Sequence, residues 1–276
     1  MATEINSAGI TFPNGTTAET LQQYNEIWVY SGSKWSVTNG GRCCYWTIPT
    51  GITSVKFEIL SGGGPGGSSG GDYDIGVGGN GGNYTSKVLR KSASCFANGC
   101  GYRICAAGSS SCSCCCRCGV NCRHGCKSYV QGRGLSNFCA QGGMGGSTPY
   151  DVASGCYNCY IGNTQCNKGQ YNAGWINCYC NSTTFGGDIE FRGTSGSMKK
   201  SVSCCQHTFT VAGQATGPLG SGHGGVSGKD WCVGNLACCS AHALWPGGGG
   251  AGHGIGSSSA CWGSFGNGGV AKVTYT

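Results

Sequence analysis

Glycine fills 56 of the 276 positions, and much of it comes in runs such as Gly62–Gly64 and Gly247–Gly250. Glycine loses more backbone freedom on folding than any other residue. So many glycines are tolerable only where the backbone itself is the packing element. Collagen follows this logic, with glycine wherever backbones crowd, but no Gly-X-Y period runs through this chain. The remaining solution is a set of extended glycine strands hydrogen-bonded to one another.

The rest of the composition sharpens the problem. Leu, Ile, Val and Phe make up about 15% of the chain, below the level of a conventional core. Disorder usually goes with high net charge; here the charge is +7, spread thinly, and aromatics reach 10%. A folded protein with unusual staples is expected, and 24 cysteines, an even number, fit that role. The mild basicity carries little. No basic run exceeds a pair such as Lys199–Lys200, so nucleic-acid binding is not expected. The first residues have neither a basic nor an apolar leader region, and no stretch approaches the ~18 apolar residues of a membrane span. Neither export nor membrane insertion is expected.

Along the chain, residues 1–20 read as a short hairpin with Ile5, Ile10 and Phe12 as its apolar positions and Asn14-Gly15 as its turn. Thr17 to Glu26 allows one or two helical turns on a weak start signal. Residues 27–48 are strand-like, with Trp28, Tyr30, Trp35, Val37, Tyr45 and Ile48 between turns. The clearest strand is 53–60: Val55, Phe57 and Ile59 face one way, Ser54, Lys56 and Glu58 the other. Further strands are expected at 84–89, 102–105, 188–192, 207–211 and 269–276. No segment of ten residues carries a helical period. The expected class is all-β, a β-sandwich-like glycine-rich domain over residues 43–276 with long Gly- and Cys-rich connections. Residues 1–42 form a small amino-terminal hairpin and attachment segment.

Residues 95–261 hold 22 of the cysteines. A zinc site typically needs two Cys-x-x-Cys knuckles. Outside the dense cluster Cys112–Cys126, only Cys156–Cys159 has that spacing, and Cys178–Cys180 is one residue short. Disulfides are therefore the leading reading, with candidates Cys43, Cys44, Cys95, Cys100, Cys105, Cys112, Cys139, Cys156, Cys159, Cys166, Cys178, Cys180, Cys204, Cys205, Cys232, Cys238, Cys239 and Cys261. Adjacent cysteines rarely bond each other, so Cys43 and Cys44 are expected to reach separate partners. If a structural metal is held, the ligands come from Cys112, Cys114, Cys118, Cys122, His124 and Cys126. No cofactor is otherwise expected.

Catalytic motifs fall away. Gly76–Gly81 contains Gly-x-Gly-x-x-Gly, but no βαβ unit follows. Gly222–Lys229 imitates a phosphate-binding loop with a spacing one too long and Asp230 in place of Ser or Thr. Asp72 and Asp74 are a close pair of carboxylates but sit in a glycine stretch. Asn14, Asn83 and Asn181 begin glycosylation triplets, without a leader to make them relevant. Binding remains. Trp175, Tyr157, Tyr160, Tyr171 and Tyr179 are candidates either for glycan stacking or for filling small cores between bridges.

The stretch Trp46–Gly64 (WTIPTGITSVKFEILSGGG) resembles the opening of the glycine-rich domain of bacteriophage tail-fibre proteins. Gly81–Leu89 and Gly101–Gly108 resemble its next two strands, and Gly268–Tyr275 its closing strand. Glu4–Thr17 is similar to the amino-terminal segment of many phage fibre-like proteins, notably from marine cyanophages. The family departs from this chain at 95–261, where it carries Gly, Ser and Thr rather than cysteine. The resemblance implies a virion structural protein of the tail fibre or tail tip, often host-recognising, often trimeric, and not catalytic. Its partners would be other tail proteins and a host-surface polysaccharide or receptor. A virion protein also reconciles many cysteines with the missing leader, because it is made in the host cytoplasm and released by lysis. The alternatives are a capsid-decoration or head-fibre protein, a cysteine-rich metal-binding protein, and a depolymerase.

Overall fold

The computed structural model describes residues 4–6, 9–11, 17–18, 25–30, 41–67, 78–91, 99–109, 125–146, 184–201, 207–220, 222–224, 226–230, 243–251 and 265–276. Every regular element among them is a strand: β1 (Glu4–Asn6), β2 (Gly9–Thr11), β3 (Thr17–Ala18), β4 (Asn25–Tyr30), β5 (Arg42–Thr47), β6 (Ser54–Leu60), β7 (Tyr84–Arg90), β8 (Gly101–Ala106), β9 (Ser128–Gly132), β10 (Cys139–Ala140), β11 (Thr184–Phe185), β12 (Ile189–Phe191), β13 (Ser197–Ser201), β14 (His207–Val211), β15 (Val226–Asp230) and β16 (Val270–Tyr275). Two five-stranded antiparallel sheets, β12-β7-β6-β16-β4 and β11-β10-β9-β8-β5, carry the fold, and neither closes into a barrel. Two three-stranded sheets, β1-β2-β3 and β13-β14-β15, accompany them.

The core follows from alternation along β6. Val55, Phe57 and Ile59 have no solvent exposure. They share one cluster with Tyr102, Ile104 and Val130 of the other large sheet and with Ala271 and Val273 of β16. Phe57 and Tyr102 meet with ring centroids 5.0 Å apart. At the carboxyl end of β6 the alternation stops deciding burial. Glu58, expected on the solvent face, is buried because Leu60, Tyr84, Val270, Ala215 and Leu219 form a second cluster over that end of the outer face.

Three local expectations change. Thr17–Ala18 and Asn25–Glu26 are strand rather than helix, since Thr17–Ala18 pairs with β2 and Asn25–Tyr30 pairs along its whole length with β16. Tertiary pairing outweighs a weak start signal. The amino-terminal hairpin is a three-stranded meander, with Ile5 opposite Ile10 and Ile10 opposite Ala18. Asn14-Gly15 lies outside the described residues. Strand β4 precedes residue 42 yet is hydrogen-bonded into the sheet that contains the carboxyl-terminal strand.

Glycine segments continue the strands beyond one end of both large sheets. Residues 61–67 and 78–83 are buried without exception, so their backbone groups must find partners. They find them sideways. Gly62, Gly63 and Gly64 donate to the carbonyls of Cys126, Asn267 and Asn80, three different segments. Gly79 and Gly82, three residues apart, both donate into segment 247–250 (2.8 and 2.7 Å). Gly143 and Gly146 both donate into 62–65 (2.9 and 2.7 Å). Gly193 and Gly196 reach the side-chain oxygens of Asn83 and Asn80. Donors that return to the same neighbour every third residue define an extended helix of three residues per turn. The segments pack so closely that a methyl group on Gly64 would collide with the carbonyl of Met144.

Ser128 joins the sheets where the array begins: its hydroxyl donates to the Leu60 carbonyl (2.7 Å) and accepts from the Ala107 N–H (2.9 Å). The arrangement is polar. The pairs Leu60↔Tyr84, Leu60↔Val270, Cys105↔Tyr129 and Tyr84↔Phe191 place all the strand-to-glycine junctions at one end of the sheets. The opposite end holds the start of β4 and the end of β16, with Asn25 paired to Tyr275. Strands β13 and β15 follow segments 193–196 and 222–224, and β14 leads into segment 212–216.

Candidate functional site

Three of the five exposed large aromatics among the described residues, Trp28, Tyr30 and Trp245, gather at one edge; Tyr45 on β5 and Phe191 on β12 lie elsewhere. Strand β4 is the terminal strand of its sheet, and period-2 geometry sends Ile27 and Val29 toward the core and Glu26, Trp28 and Tyr30 outward. The Trp28 and Tyr30 rings are parallel, within 5°, with centroids 5.9 Å apart. Trp245, from the turn 243–247, lies 5.5 Å from Tyr30 and tilted by 54°. Leu244 beside it is exposed. Three rings from segments more than 200 residues apart thus form one ledge.

Charged groups hold the ledge in place. Lys272 stands opposite Trp28 across the β4–β16 pair, and its ammonium lies 4.9 Å from the Trp28 ring centroid, a cation–π contact. The same ammonium pairs with Glu26 at 2.5 Å, and the Trp28 indole N–H donates to Glu26 at 3.2 Å. The bond from Lys272, then that from Trp28, holds the Glu26 carboxyl below its usual range. On the inner side of Lys272 is Glu58. Its carboxylate accepts from the Tyr84 hydroxyl (2.6 Å) and pairs with Lys56 (2.9 Å). Burial, then that bond to Glu58, raises the Tyr84 phenol well above its ordinary value.

The other large sheet has a different character. No Asp or Glu occurs between Asp74 and Asp151, so the described residues of β5, β8, β9 and β10 with their turns bring Arg42, Arg103, Lys127 and Arg133 and no carboxylate. Arg103 and Lys127 lie 5.9 and 5.6 Å from the Tyr129 ring centroid. On that outer face Cys43 and Cys105, directly opposed across β5 and β8, form a disulfide. Cys44, Cys100, Cys126 and Cys139 are free thiols. Burial raises the Cys44 and Cys139 thiols, Lys127 offsetting part of the effect at Cys139.

The remaining disulfide candidates, Cys95, Cys112, Cys156, Cys159, Cys166, Cys178, Cys180, Cys204, Cys205, Cys232, Cys238, Cys239 and Cys261, lie outside the described residues. So do the metal candidates Cys112, Cys114, Cys118, Cys122 and His124, and the aromatics Tyr157, Tyr160, Tyr171, Trp175 and Tyr179. Among the described residues no group of three or more His, Cys, Asp or Glu could hold a metal ion. The phosphate-loop lookalikes resolve into other structure. Gly78–Gly81 and Gly222–Gly224 belong to the glycine array, and Val226–Asp230 is a strand. Asn83 of the glycosylation triplet is buried, its amide donating to the Gln141 carbonyl (2.8 Å). Sequence reasoning had Trp28 and Tyr30 as strand aromatics but gave no sign of Trp245, whose partner is distant in the chain. No family model matches this chain, and no curated protein matches it.

Proposed function

We propose that the chain is a non-enzymatic structural protein of a bacteriophage particle, a tail-fibre or tail-tip component that contributes to host adhesion. The two large sheets make a β-sandwich-like base, and the amino-terminal segment attaches it to other tail proteins in a homotrimeric assembly. The observation that carries this reading is the polarity of the fold. Strand β4 starts and β16 ends at one end of the sheets, and the glycine array projects from the other. The array is buried, laterally hydrogen-bonded backbone, which is a stiff support for whatever its connections display. The resemblance of the glycine-strand order to fibre glycine-rich domains supports the same reading.

Immunogold electron microscopy of purified particles, with antibodies against residues 106–182, tests it. Gold at distal tail tips is the expected result. Gold over the capsid would assign a decoration role instead. Absence of gold with an antibody proven against the native protein would remove the virion reading.

A further inference from the structure

We infer that the ledge of Trp28, Tyr30 and Trp245 is a carbohydrate-binding site for a glycan whose pyranose rings present a continuous C–H face. This names a ligand class for the adhesive reading above, but stands on the ledge itself. The rings are 38%, 46% and 38% exposed, so each keeps a substantial part of a large aromatic surface open to a ligand. Their positions are fixed in advance. Trp28 is held by its bond to Glu26 and by Lys272, and Tyr30 lies between Trp28 and Trp245. Holding the contact groups in place before binding lowers the cost of ordering them.

The chemistry of the surroundings selects the ligand. Ring surfaces favour C–H groups, while the Glu26–Lys272 pair at the border offers a carboxylate acceptor and an ammonium donor. A pyranose carries both requirements in one body, an apolar face and a rim of hydroxyls. Successive ring centroids at 5.9 and 5.5 Å offer neighbouring contacts at about the spacing of neighbouring sugars. The area argues against a second copy of the chain. About 40% exposure of three aromatics that bury ~150–250 Å² each leaves roughly 200–300 Å². A stable protein interface takes ~800 Å² from each partner. The balanced charge at the ledge argues against a polyanion, which the carboxylate-free face around Arg103 and Lys127 would suit better.

The test is titration of the full-length oxidised protein with neutral gluco-, galacto- and manno-configured hexasaccharides, followed by tryptophan fluorescence and calorimetry. The expected result is saturable binding of at least one hexasaccharide, unchanged by salt. Tyr30→Ala and Trp245→Ala should each weaken it about fivefold or more, the effect of losing ~1 kcal/mol. Both positions are exposed, and circular dichroism confirms that the variants fold. Absence of saturable binding overturns the inference. So does binding that survives both substitutions, or that is lost in Arg103→Ala/Lys127→Ala instead. Self-association of the wild type that Trp245→Ala abolishes, without sugar binding, would assign the ledge to a second copy and overturn it too. Because these measurements use isolated protein, their failure is separable from failure of the particle localisation.

Discussion

Replacing Gly63 by alanine tests whether the glycine array is a packed core rather than a loop region. A Cβ at Gly63 would fall within the carbonyl group of Gly248. That carbonyl accepts from the Asn267 N–H (2.8 Å), and the Asn267 carbonyl accepts from the Gly63 N–H (2.9 Å). Either backbone can retreat only by breaking one of these buried bonds, and no flexible side chain is present to yield. Overpacking costs ~1–3 kcal/mol, and each buried group left unpaired costs ~1–3 kcal/mol. Gly63→Ala should therefore destabilise by about 3 kcal/mol or more, a large share of the ~5–15 kcal/mol typical of a folded domain. Gly101 is the control. It opens β8 with only a Thr47 methyl at 3.9 Å, so Gly101→Ala should change stability by less than ~0.5 kcal/mol. Gly99 has φ +79° and open space, so alanine there should cost only the left-handed backbone penalty of ~1–2 kcal/mol. Guanidinium unfolding of the three oxidised variants, compared by midpoint at constant slope, provides the measurement. Equal midpoints for Gly63→Ala and Gly101→Ala would refute the reasoning.

Three further outcomes are expected. Cys43 and Cys105 close a connection of 62 residues, so reduction, or Cys43→Ser with Cys105→Ser, should cost roughly 4 kcal/mol in the chain-entropy view; a melting temperature indifferent to strong reductant would refute this. Tyr84→Phe removes the hydroxyl that donates to the buried Glu58 carboxylate, and denaturant unfolding should show a loss of ~1.5–3 kcal/mol. At Asp188 burial acts upward, but bonds from Lys87 (2.6 Å) and the Val88 N–H (2.9 Å) outweigh it and lower the carboxyl overall. Its stabilising contribution is then complete above the ordinary Asp value and lost as pH falls through the depressed one. Asp188→Asn should flatten the acid limb of the stability profile, and an unchanged limb would contradict the assignment.

The strand most legible in the sequence is 53–60, where apolar and polar residues alternate; 84–89, 102–105 and 207–211 were legible from their aromatic and β-branched residues, and each is a strand or most of one. Strands β13 and β15 were not legible. Ser197–Ser201 and Val226–Asp230 are polar, and they are extended because each pairs with β14. Strand β9 was hidden by its Cys-rich neighbourhood, although Tyr129 and Val130 fit a pleated surface. Glu58 looked solvent-facing because local alternation cannot report that residues 215–219 cover that end of the sheet. The ledge was half legible for the same reason: Trp28 and Tyr30 share a strand, while Trp245 arrives from a turn that only the completed fold brings near. The period-three bonding of the glycine segments is invisible to any rule based on side chains, because no side chains carry it.

The array also separates what the chain must conserve from what it is free to vary. Each glycine segment is specified by backbone spacing alone, so Gly67 and Gly78 are fixed points that any connection between them must span. A longer connection between fixed ends adds only ~0.6 kcal/mol per doubling of length. Insertion or exchange between such fixed points costs the lattice little, and a lineage could rewrite the sequence there while inheriting the same scaffold.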